Sequence, residues 1–188
     1  MITKIISGGQ TGADRGGLDA AIHCDWPHGG WCPKGRKAED GIIPSKYHLN
    51  EMASLEYLPR TQANVIDSDA TIIFSFGPLF GGALETATYA HELEKPYHHV
   101  DLLHTTPKNA VNKIMMWLAG DEKLNDYDEY VAFPPPLECV LNVAGSRESH
   151  APGIQEAVFQ LMVDVLIDVN RYESKHFHQL KEVRRVRS

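Results

Sequence analysis

The chain has little cysteine, no surplus of positive charge and no long apolar run. Its three cysteines, Cys24, Cys32 and Cys139, form no CxxC pair. Their odd number makes a poor disulfide framework, so reduced and packed thiols are expected. Eighteen Lys and Arg against 25 Asp and Glu give a formal net charge of −7. That balance argues against a nucleic-acid binder, because affinity for a phosphate backbone rests on clustered cations. No apolar stretch approaches the ~20 residues of a membrane span. The opening MITKIISGG moves straight into a strand, unlike a secretion signal. A cytoplasmic protein without membrane contact is expected. No metal site is expected either, because the ten histidines show no i, i+4 helical pair with a carboxylate partner.

What the chain does have is glycine in three particular places. The segments Ile6 to Gly17 (ISGGQTGADRGG), Ser75 to Thr86 (SFGPLFGGALET) and Val143 to Gly153 (VAGSRESHAPG) each follow an apolar run and precede an amphipathic stretch. In a parallel α/β sheet such loops all leave the carboxyl ends of strands, where helix N-termini can hold an anion.

The remaining pattern supports that sheet. Strands are expected at Ile2 to Ser7, Gly29 to Cys32, Ala70 to Phe76, Tyr97 to Leu102 and Cys139 to Ala144, with a minor one at Leu55 to Leu58. Helices are expected from Thr11 to Cys24, near Gln62 to Asp67, after Gly81 and Gly82, from Lys108 to Leu118 and from Pro152 onward. Thr11 and Asp14 have the spacing of a capping box, and Pro33 to Tyr47 reads as a long functional loop. The fold class predicted is therefore α/β: a Rossmann-like, doubly wound, mainly parallel sheet with helices on both faces. Residues 1–170 form one ligand-binding domain in this reading, and 171–188 form a basic C-terminal helical tail.

The first loop is neither of the common nucleotide motifs. After Gly8 and Gly9 the next glycine is Gly12, so no GxGxxG fits, and the P-loop lysine is missing. Lys34 and Arg36 follow the second strand, where an NAD site needs a carboxylate. Ligand contacts are expected from Gly8, Gly9, Gln10, Thr11, Gly12 and Asp14 of the first loop. Gly77, Gly81, Gly82, Glu85 and Thr86 are expected to supply the second, and Ser146, Arg147, Glu148 and Ser149 the third. Lys34 and Arg36 are placed at the mouth. For Thr11 and Asp14 a purely structural duty at the helix start is the competing account, and for Arg147 it is an ion pair with Glu148 or Glu85.

The blocks GGQTGADRGGLDAA, GGWCPKGRKAEDG, SDATIIF, GGALETATYA and LNVAGSRESHAPGI run in order from about Ile2 to Val165. Together they resemble the circularly permuted YpsA family, also labelled molybdenum cofactor carrier-like. Its Rossmann-like superfamily includes the LONELY GUY phosphoribohydrolases and the DNA-processing DprA proteins. The resemblance implies a pocket for a small phosphorylated heterocyclic ligand, nucleotide-derived or pterin, with molybdenum cofactor as the carried species and a homodimer as the assembly. The cofactor's organic part would supply the metal ligands, with Trp31, Tyr47, Phe76 and Phe80 as candidates to stack on a planar ring.

The sequence departs from the hydrolase signature PGGxGTxxE. With its two glycines on Gly81 and Gly82, Leu84 stands at the third glycine, Glu85 at the threonine and Thr88 at the catalytic glutamate. N-glycosidic hydrolysis thus lacks its expected acid/base. A non-catalytic binding or carrier protein is the first reading. The alternative is a phosphoribohydrolase-like enzyme acting on nucleoside monophosphates through Glu85 or Glu148.

Overall fold

The fold is described by a computed structural model covering residues 2–120, 131–132 and 134–186, without the side chains of 131–132 and 173–186. The chain runs β1 (Ile2–Ile6), α1 (Ala13–His23), β2 (His28–Gly29) and β3 (Trp31–Cys32), then a 3-10 turn at Lys34–Arg36. A small hairpin of β4 (Lys37–Ala38) and β5 (Gly41–Ile42) is followed by β6 (Asn50–Glu51), α2 (Tyr57–Asp67), β7 (Ala70–Ser75) and α3 (Gly81–Glu92). Last come β8 (Tyr97–Asp101), α4 (Pro107–Ala119), β9 (Val131–Ala132), β10 (Cys139–Gly145) and α5 (Ile154–Val186).

The main sheet has the order β2-β1-β10-β7-β8-β9. Its first five strands are parallel, and only β9 runs against its neighbour. This is a doubly wound Rossmann-like α/β fold. Every residue of β7 is buried, as expected of a strand covered on both faces. One face carries α1, α4 and α5 over a core that includes Ile5, Phe74, Leu141, Ile114, Trp117, Ile154 and Met162. The other carries α2 and α3, where Val65, Ala83, Ala87 and Ala90 meet Ile73 and Tyr97. The last strand, β10, is inserted between β1 and β7, so the three glycine loops leave adjacent strands at one edge.

Several boundaries differ from the sequence expectation for local reasons. The Gly29 to Cys32 strand is broken at Gly30, with β2 joining the main sheet and β3 pairing with β6. No strand forms at Leu55 to Leu58, because α2 begins at Tyr57. Pro59 is tolerated in its first turn, where an N–H has no helical partner anyway. Pro152 lies in the turn before α5, not in its first position. The segment from Pro33 to Tyr47 contains a hairpin, and it covers a small cluster of Leu18, Cys32, Ile43, Tyr47 and Leu49. Helix α5 passes without a break through the expected boundary at residue 170, while the basic side chains beyond Tyr172 lie outside the described residues. All three cysteines are free, and burial pushes the Cys139 thiol up to about 11. No described helix is long and apolar enough to cross a membrane.

Candidate functional site

A cavity of about 390 Å³ opens where the loops after β1, β7 and β10 meet the start of α2. Of the residues expected from the sequence, Gln10, Asp14, Gly81, Gly82, Glu85, Thr86, Ser146 and Arg147 line it. Gly8, Gly9, Thr11, Gly12, Lys34, Arg36, Gly77, Glu148 and Ser149 do not. Hydrogen bonding accounts for most of this division.

The first loop is closed by the protein itself. The N–H of Gln10 donates to Asp14 Oδ2 at 3.2 Å, and that of Thr11 to Gln10 Oε1 at 3.0 Å. The N–H of Gly12 donates to Gln155 Oε1 at 3.3 Å, and that of Ala13 to the Ser146 carbonyl at 3.1 Å. The amides of Gln10, Thr11, Gly12 and Ala13 therefore already have partners. Thr11 makes no capping bond, since the N-cap is Gly12; its hydroxyl donates to Glu39 instead. Gly12 serves a close approach of loop to loop, because a Cβ there would stand 2.3 Å from the Ser146 carbonyl oxygen.

The third loop is closed in the same way. The carboxylate of Glu148 accepts the N–H groups of Gly153 and Gln155, so it caps the start of α5 and not a ligand. The hydroxyl and N–H of Ser149 both donate to Glu39. Arg147 makes no ion pair with Glu148 or Glu85; its guanidinium lies over the Tyr57 ring, 4.5 Å from the centroid, a cation–π contact. Arg36 does not reach the mouth. Its guanidinium donates to the carbonyls of Ile43, Pro44, Tyr47 and Leu49 and pins the covering segment down. Lys34 is exposed beyond β3, away from the cavity lining.

The second loop is different. Helix α3 has no side-chain cap, and the N–H groups of Gly81, Gly82 and Ala83 have no partner among the described residues. All three residues line the cavity. Gly77 stays outside it, its N–H donating to Asp101 Oδ1 at 2.8 Å. The Thr86 hydroxyl donates back to the Gly82 carbonyl at 2.8 Å.

Arg60, Tyr57 and Glu39 are the residues that sequence reasoning passed over. Arg60 Nη1 donates to Asp14 Oδ2 at 3.0 Å, with side chains only 12% and 6% exposed. Burial raises the Asp14 pKa above the ordinary carboxylate range, against the pull of Arg60. Tyr57 and Arg60 sit on α2; Tyr57 falls in the segment expected to be a strand and Arg60 between that strand and the helix expected near Gln62, so neither could be assigned to a helix face. Glu39 joins the hairpin to both closed loops, and its neighbour Asp40 takes two bonds from Arg15 at 2.6 and 2.7 Å. Of the expected ring-stacking aromatics only Phe80 lines the cavity; the Tyr47 hydroxyl is turned to Asp19 and the Trp31 indole to Asp67. Among the described residues no cluster of three His, Cys, Asp or Glu is placed to hold a metal ion.

This geometry coincides with a family assignment. The model of the circularly permutated YpsA SLOG family matches residues 5–126. A crystal structure named "Putative molybdenum carrier protein", from Syntrophus aciditrophicus, is 41% identical. The similarity covers 87% of this chain and 94% of that one, with a TM-score of 0.72. No curated protein matches the chain. The chain belongs to the circularly permutated YpsA SLOG family.

Proposed function

We propose that this family member is a binding or carrier protein for a phosphorylated heterocycle, with molybdenum cofactor as its cargo. One observation carries the reading: the unpaired first turn of α3 and the guanidinium of Arg147 line the same cavity. Unpaired amides at a helix N-terminus favour an anion, and a cation beside them adds a charge-assisted bond. Phe80 in the lining offers an apolar face to a ring, and about 390 Å³ lies within the range of small-molecule sites. The cargo is suggested by the name of the Syntrophus relative. Its molybdenum would be held by the cofactor's own organic ligands, while Gly81, Gly82, Ala83 and Arg147 hold the phosphate.

Mass spectrometry of whatever copurifies with the native protein tests this directly. Phosphorylated heterocycles should also raise the melting temperature, since a ligand at 100 times its Kd stabilises by about 2.7 kcal/mol. Sulfate should compete with them. Arg147→Ala should weaken their binding by roughly 1.5 to 3 kcal/mol, the worth of one charge-assisted hydrogen bond. Absence of any shift with a panel of nucleotides and molybdopterin would sink the reading.

A further inference from the structure

The guanidinium of Arg60 occupies the space that a side chain at Gly8 would fill. A Cβ on Gly8 would stand 1.8 Å from Arg60 Nη1 and 2.3 Å from Cζ. In this seat Nη1 is bonded to Asp14, while Nε is buried without a partner. Gln10, in the same lining and 3% exposed, carries a second unmet donor. Its carboxamide can be oriented in only one way, because Oε1 accepts the N–H groups of Thr11 and Glu39, each at 3.0 Å. That leaves Nε2 as a buried donor with no acceptor. Buried donors are rarely left unmet in a finished site. Two of them on the lining of one cavity point to an acceptor that arrives with the ligand.

We propose that Arg60 and Gln10 determine specificity here by pairing with the carbonyl oxygen of an oxo-substituted ring. Guanine, hypoxanthine and the 4-oxo ring of a pterin present such an oxygen. Adenine presents an amino donor at the corresponding position, which opposes donors from the protein. The inference rests on the reading that a phosphorylated heterocycle occupies the cavity, and it adds which ring is chosen. Both nitrogens are covered by neighbouring atoms, so pairing requires Arg60 to turn about its side-chain torsions. Its single bond to Asp14 holds it without locking it.

Isothermal titration of the full chain with GMP, IMP and AMP tests the choice. GMP and IMP should bind about tenfold or more tightly than AMP, within the discrimination that a well-placed donor pair supplies. In Arg60→Gln/Asp14→Asn, which removes both charges of the buried pair together, the ratio should fall, with the Gln10 donor left to supply what remains. Gln10→Glu, which keeps the Oε1 acceptor but removes the donor, should lower the ratio too and stands in should the double variant not fold. A wild-type protein that binds AMP as tightly as GMP overturns the inference and leaves the proposed function standing. Failure of all three nucleotides to bind at millimolar concentration overturns the inference, and overturns the proposed function too if molybdopterin gives no thermal shift either.

Discussion

At the first loop a Cβ on Gly8 would stand 1.8 Å from Arg60, and one on Gly12 would stand 2.3 Å from the Ser146 carbonyl oxygen. At the start of α3, Cβ atoms on Gly81 and Gly82 would meet nothing within 4 Å. Both regions are glycine-rich turns from a parallel strand into a helix, and both stand at the same sheet edge. The difference lies in what satisfies the helix start. Around α1 it is the Asp14 carboxylate, two glutamine carboxamides and a carbonyl of the third loop. Around α3 it is nothing within the described chain. A glycine loop thus offers amides to an anion only where the protein has left them free, and here the second loop offers its amides while the first and third bring side chains, Gln10, Asp14 and Arg147, to the same cavity.

The sharpest way to break this comparison is to make the same substitution on both sides. Gly12→Ala meets backbone atoms at 2.3 and 2.6 Å at a φ of 84°, so neither a side-chain shift nor a relaxed conformation relieves it. Overpacking and positive-φ strain together should cost about 3 to 5 kcal/mol. In a chain of this size that lowers the melting temperature by roughly 10 °C or more. Gly82→Ala, inside α3 and facing open space, should instead stabilise by about 0.5 to 1 kcal/mol. Equal destabilisation by the two variants in thermal unfolding would refute the division between a closed and an open loop.

An intermediate effect is expected at Gly8, where the obstacle is a movable side chain. Gly8→Ala should displace the Arg60 guanidinium and leave the Asp14 carboxylate buried without its cation, held only by the Gln10 N–H, at about 2 kcal/mol. The test is a double-mutant cycle. If the methyl group acts by evicting Arg60, then Gly8→Ala should cost clearly less in an Arg60→Ala background than in the wild type. Additive costs would mean that the glycine is needed for its backbone.

How much of this could be read from the sequence differs by level. The strands and most helices were legible because β7 is apolar at nearly every position and α5 repeats its apolar residues at helical spacing. The gathering of the three loops at one edge follows from parallel strands alone. Which loop stays open was not legible, since it depends on partners far along the chain: Gln155 for Gly12, Glu39 for Thr11 and Ser149, and Arg60 for Gly8. Arg36 shows the same limit. Its charge suggested a ligand, and the four carbonyls that claim it belong to a loop with no periodic pattern.

The smallest effect expected concerns the closure itself. Glu39 binds the closed loops together by accepting bonds from the Thr11 hydroxyl and from the hydroxyl and N–H of Ser149. Burial alone would raise its pKa, but these bonds outweigh burial and hold the carboxyl below the ordinary glutamate range. A carboxyl whose pKa is lowered on folding stabilises the fold above its unfolded pKa, near 4, and that contribution is lost as pH falls through the folded value. Glu39 is exposed, so solvent screening reduces the worth of these bonds, and Glu39→Gln should cost no more than about 1 kcal/mol at pH 7, or about 2 to 4 °C in melting temperature. The gap between the two proteins should narrow as pH falls below about 4. Because Glu39 does not line the cavity, the variant should bind a phosphorylated ligand at α3 nearly as well as the wild type. A gap that stayed constant down to pH 3 would remove the Glu39 carboxylate from the closure, and a loss of ligand binding as large as that of Arg147→Ala would show that ligand binding depends on the closure as well as on the side chains that line the cavity.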